Sequence, residues 1–291
     1  MMDMTTRTRK DTSKLVDEIL HSIFFLGEIN TPAFSPRELL DDDEDLLGDL
    51  KAAHPEPFTL YSSQLPRRSP ITCLLDMVVN LEGRENEDVI RTRLQEITRE
   101  LMAKASKKVL FSSTLCVSHA NKNDSVRHYG VSMSSTGRPA GQILIVASCF
   151  HFWHEYVANA VITYCPKKKR KAYFNGTFKL PKGVRCETFN LTEDTGTPKN
   201  PCKSCSNMFG LDMTETEGFH YGNCAEVESL SKLLGVEEVE IQNNENWTEQ
   251  NRQRARKAVL HHLKTVLRAV GFAWDDRFYT AQREIEITLK G

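Results

Sequence analysis

No run of this 291-residue chain approaches the roughly 18 consecutive apolar residues that a membrane span requires, so no transmembrane helix is expected. A charge excess is missing too: Lys plus Arg number 38 against 39 Asp plus Glu, and net charge alone points to no polyanionic partner. The opening MMDMTTRTRKDTSK lacks the apolar segment of a secretory signal. The expectation is an intracellular, cytoplasmic protein. No internal repeat is visible, which leaves a single α/β sandwich as the default architecture.

Cysteine, by contrast, is plentiful, with eight in the chain. In a reducing compartment these thiols point to metal binding or plain burial rather than to disulfides. Four Asn-x-Ser/Thr sequons (Asn123, Asn175, Asn190, Asn246) are read as chance occurrences for the same reason.

Along the chain, residues 1–65 read as an N-terminal arm and linker, partly helical. KLVDEILHSIFFLGEI has an amphipathic pattern, and prolines and an acidic block follow it. Such an arm is either mobile or docks through Leu15, Ile19, Ile23 and Phe24. Residues 66–291 form the globular domain. ENEDVIRTRLQEITRELMAKA predicts a helix with Val89, Leu94, Ile97 and Leu101 on one face. KVLFSSTLCVS, SVRHYGVSMSS and GQILIVASCF read as strands, the first two as a hairpin across SHANKNDS. HFWHEYVANAVITYC is helix or strand. KAYFNGTFKL is expected to pair with VRCETFNL, and VEEVEIQ and REIEITL complete a mixed sheet. Asn223 is the expected N-cap of CAEVESLSKLL, which ends at Gly235. Thr248 is the expected cap of the long helix TEQNRQRARKAVLHHLKTVLRAVG, whose apolar face holds Val259, Leu263, Val266 and Val270.

The chemistry concentrates in PCKSCSNMFGLDMTETEGFHYGNCAEVESLSKLL, residues 201–234. Cys202 and Cys205 stand two residues apart, a spacing that turns two thiolates toward one ion. Cys224 is the nearest third ligand. Glu226, two residues beyond Cys224, then reaches a water in the open fourth position rather than the metal itself. Three protein ligands and a water make a catalytic zinc site, where a carboxylate moves the proton of an activated water.

A closed site remains open as the alternative. His220 would complete a Cys-x2-Cys-x14-His-x3-Cys set typical of structural zinc modules, and Cys186 could complete a four-cysteine set. Glu226 would then be an ordinary first-turn acid complementing the helix dipole. Phe219, Tyr221 and Asn223, beside Cys224, are the candidate substrate-binding walls. Core packing and capping explain them as well.

Cys224-Ala225-Glu226 and Pro201-Cys202-x-x-Cys205 resemble the two zinc motifs of the cytidine deaminase-like superfamily, in reversed order along the chain. The resemblance implies a deaminase-like sandwich of three layers, Zn2+ on Cys202, Cys205 and Cys224, and Glu226 as proton shuttle. The implied reaction is hydrolytic loss of ammonia from C4 of cytosine or C6 of adenine, in a nucleoside or a single-stranded nucleic acid. The rival class is a non-catalytic binding or scaffold protein with a structural Cys/His zinc site.

Two basic clusters remain. Lys167 to Lys171 (KKKRK) is a solvated loop, a phosphate contact or a nuclear import signal. Arg252, Arg254, Arg256 and Lys257 form the second. Tyr173 and Trp247 are available nearby for stacking a base.

Overall fold

The structure, a computed structural model, describes residues 12–104, 112–121, 125–133, 139–193, 197–213, 218–242 and 246–281. Six helices come first: α1 (Ser13–Glu28), α2 (Pro36–Leu39), α3 (Glu44–Ala53), α4 (Pro55–Leu60), α5 (Pro70–Glu82) and α6 (Glu87–Lys104). Strands β1 (Thr114–Ala120) and β2 (His128–Val131) follow, then α7 (Ala140–His151) and α8 (Glu155–Tyr164). Strands β3 (Val184–Asn190) and β4 (Pro198–Lys199) precede α9 (Lys203–Phe209), α10 (Ala225–Leu234) and α11 (Glu249–Ala269). Several helix starts carry their own signals. Ser69 accepts from Thr72 N ahead of Pro70, and Thr248 accepts from Asn251 N as expected.

The sheet runs β2-β1-β3-β4, and each neighbouring pair is antiparallel. Alternation along the strands explains the layering. Leu115, Val117, Tyr129, Val131 and Phe189 join a core with Val16, Leu20, Phe24, Val78, Ile90 and Leu94 from α1, α5 and α6. The intervening residues of β1, β2 and β3 face α10, which packs across all three strands. A second core unites α7, α8, α9, α10 and α11. The result is the expected α/β sandwich, with the sheet between two helical layers.

Gly130 shows how closely α10 lies on the sheet. A Cβ there would fall on Ser229 N and Ala225 O, so only glycine allows this approach. A buried ionic chain sets the helix's rotation. Arg68 joins Glu18 (2.6 Å) and Asp76 (2.5 Å), and Lys232 joins Asp76 (2.7 Å) and Glu228 (2.6 Å). Glu228 also accepts from Thr72 Oγ1 and from Val131 N, each at 3.2 Å.

Several expectations are corrected. GQILIVASCF is helix α7, not a strand: residues Ile143 to Cys149 are all buried, and a continuously apolar run has no period to distinguish the two. KAYFNGTFKL is irregular, and β3 pairs with β1 and β4 instead. Residues 237–242 (VEEVEIQ without its first Val) are also irregular, so the sheet is antiparallel rather than mixed among the described residues. REIEITL lies outside the described residues. Val89 is exposed, and Ile90 with Leu94 forms the buried face of α6. Within segment 1–65 the docking alternative holds from Ser13 onward. Val16, Ile19, Leu20, Phe24 and Phe25 are buried, and Leu15 and Ile23 pack partly against them.

Candidate metal centre

Cys202 occupies the N-cap of α9 in extended backbone, which places Cys205 in the first turn of that helix. Cys224, not Asn223, is the N-cap of α10, and Glu226 follows in its first turn. The correction to Asn223 has a local cause. Its N–H donates to His220 O (2.9 Å) and its carbonyl accepts from Met133 N (2.9 Å), so its backbone closes a turn instead of starting the helix.

Two further bonds close the excursion between the cysteine pair and α10. Ser204 Oγ donates to Phe219 O (2.6 Å), and Asn207 Nδ2 donates to Tyr221 Oη (2.9 Å). Gly222, at φ +94°, makes the final turn against Ile145 and Val161, where a side chain would be both strained and crowded.

The sulfurs of Cys202, Cys205 and Cys224 consequently lie within 4.8 Å of one another, with Cys202 and Cys224 at 3.4 Å. Tetrahedral thiolate ligands at about 2.3 Å from zinc stand about 3.8 Å apart, so the cluster matches the scale of a single ion. All three sulfurs are buried, and the group could hold a metal ion. Without metal, hydrogen bonds from Cys205 and Cys224 hold the Cys202 thiol down at about 2, while the thiols of Cys205 and Cys224 are pushed up, chiefly by those same bonds with Cys202. Binding a cation requires thiolates, so loading the group would release the protons that its thiols hold.

Glu226 is 4% exposed, and burial pushes its carboxyl up to about 7. Cys205 hydrogen-bonds to it, and its charge acts on Cys205, Cys224 and Cys116. A carboxyl against the sulfurs, poised near neutrality, can hold or release a proton there.

His220 is not in the sulfur group. It lines a separate cleft with Gln142, Tyr164, Lys168, Tyr221 and His262. Cys186 is drawn elsewhere as well, standing 3.5 Å from Cys116 on the sheet face beneath α10. Of the expected walls, Tyr221 stacks flat on Tyr164 (3.9 Å, 2°), Asn223 is half-buried, and Phe219 is 53% exposed. Sequence reasoning missed Tyr164, Cys116 and Lys199, whose charge favours the ionised form of Glu226. Tyr164 and Cys116 are distant in the chain and carry no local signal. Lys199, two residues before Pro201, was visible only as an unremarked loop cation.

Comparison with family models, with curated proteins and with solved structures returned no match. No helix among the described residues is long and apolar enough to cross a membrane.

Proposed function

We propose that the chain is a zinc-dependent hydrolytic deaminase acting on a cytosine-type base, in a nucleoside or a nucleic acid. One observation carries this reading. Three sulfurs and a buried carboxyl converge, and among the described residues no fourth protein ligand joins the group. Three protein ligands leave zinc one position, the composition of catalytic sites.

Zinc held by Cys202, Cys205 and Cys224 would supply Lewis acidity that activates water near neutral pH. Glu226 would take a proton from the attacking water and deliver it to the departing amino nitrogen. Cytosine plus water then becomes uracil plus ammonia. Tyr221 and Asn223, on the turn leading into Cys224, would border the base.

A second reading, a binding protein with structural zinc, is favoured by the enclosure of the site. The cavity touching Cys224, lined also by Thr72, Val131, Met133, Trp153 and Glu228, has a volume of about 10 Å³. That is room for about one water, not for a pyrimidine ring.

The test is elemental analysis of purified protein together with ammonia release from a panel of nucleosides and single-stranded oligonucleotides. Stoichiometric zinc and turnover are expected. Glu226→Ala should keep fold and zinc while lowering turnover by about a hundredfold or more. His220→Ala should keep its zinc. Zinc without turnover on every substrate, combined with zinc loss in His220→Ala, would establish the structural reading instead.

A further inference from the structure

The chain is near neutral overall, yet its charges are segregated. Residues 156–186 carry eight Lys and Arg, residues 250–274 carry six, and neither segment contains an Asp or Glu. The fold brings these segments side by side. Arg254 of α11 lies over the ring of Tyr173 at 4.1 Å. Pro166 and Lys168 share a cleft with His262, two helical turns further along α11. The loop after α8 therefore runs alongside the helix from His262 back to Arg254.

Its cations face outward. Lys167, Lys168, Lys169 and Arg170 are exposed, as are Arg254, Lys257 and Arg268. At about 100° per residue the three helix positions fall within one narrow arc, and the fourteen steps from Arg254 to Arg268 rise about 21 Å. Among the described residues none of these side chains forms an ion pair, although acids elsewhere do find cations. Arg252 is paired with both Glu155 and Glu249, and Lys264 with Asp276. Lys171 is the exception in its run. Its Nζ donates to the Ile162 carbonyl (2.5 Å) and to that of Cys165, finishing the C-terminus of α8.

From this we infer that the α8–α11 surface binds the phosphate backbone of a single-stranded nucleic acid. A linear double row of unpaired cations is a match for a polyanion. A lipid surface fits less well, because no exposed large hydrophobic side chain lies in either segment to enter a bilayer. Half-buried rings stand at the margin of the row: Tyr173 beneath Arg254, and the Tyr164–Tyr221 stack beside Lys168. Rings flanking a basic groove are the arrangement that accepts unpaired bases. The inference does not depend on deamination.

The experiment is fluorescence anisotropy of the full chain with a labelled single-stranded oligothymidylate of about twenty nucleotides, whose bases carry no amino group to remove. Binding is expected, with log K falling against log salt by about 0.7 per phosphate neutralised, or by about 5 if all seven Lys and Arg side chains named each neutralise one phosphate. Lys169→Glu combined with Lys257→Glu should weaken it about tenfold or more and flatten the slope. Lys14→Glu combined with Lys51→Glu, a charge-matched change on α1 and α3, and Glu226→Ala should both bind as the parent does. The inference is overturned if the double variant binds unchanged, if no binding occurs, or if duplex DNA binds more tightly. It is equally overturned if polyglutamate or phosphatidylserine vesicles compete as well as the oligonucleotide.

Discussion

His21 lies flat against Tyr279, ring centroids 4.0 Å apart and 4° from parallel, in the interior of the N-terminal helices. Neither ring nitrogen has a partner at hydrogen-bonding geometry. Burial outweighs the Leu60 carbonyl and holds the imidazole down at about 3. The unfolded chain takes up this proton near pH 6.5 while the folded chain refuses it, so stability falls as pH drops from 6.5 toward 3. His21→Phe keeps a ring on Tyr279 and removes the proton. Compared by urea unfolding at pH 7.5 and pH 5, it should lose about 2 kcal/mol less than the parent. Equal losses would show that His21 is not the acid-sensitive group. At this same scale the sulfur trio was legible, because Cys-x-x-Cys and a nearby Cys leave few other arrangements. The exclusion of His220 was not. It follows from the turn Asn223 N to His220 O and from the Tyr221–Tyr164 stack, neither of which has a pattern in the residues themselves.

Helix α10 is the element on which the site depends, since its N-cap is Cys224, its first turn carries Glu226 and Glu228, and its last turn carries Lys232. Lys232 stands between two acids, the half-buried Asp76 and the buried Glu228. Lys232→Met removes the cation and leaves Glu228 without its charge partner, a change expected to cost about 3–5 kcal/mol. Urea denaturation checks the size, and adding Glu228→Gln to the same chain should recover part of it. A single variant as stable as the parent would remove the ionic chain from the account of how α10 is held. Element identity was readable where a period or a cap existed, as in α6, α11 and the β1–β2 hairpin. It failed where burial was uniform, as in α7. In residues 237–242 Glu237, Val239 and Ile241 do alternate toward the interior, but no neighbouring strand is present among the described residues to make a ladder.

For the molecule as a whole, the two cores meet at adjacent residues of α1: Phe24 belongs to the layer beneath the sheet, and Phe25 to the layer of α7, α8 and α11. A composition rich in prolines and acids suggested an arm there, because composition registers what flanks a helix and not what its apolar stripe will meet. Charge behaves similarly. A balance of −1 hid two acid-free cationic segments, and only the fold brings them side by side.

That juxtaposition concentrates cations on one surface, and an ion-exchange column reads surfaces rather than sums. At pH 7 and low salt the intact protein should be retained on a sulfonate resin despite its slight negative charge, and its urea-unfolded form, with the positive stripe dispersed, should flow through. Should both pass unretained, the cations of α11 and the neighbouring loop do not present a common front.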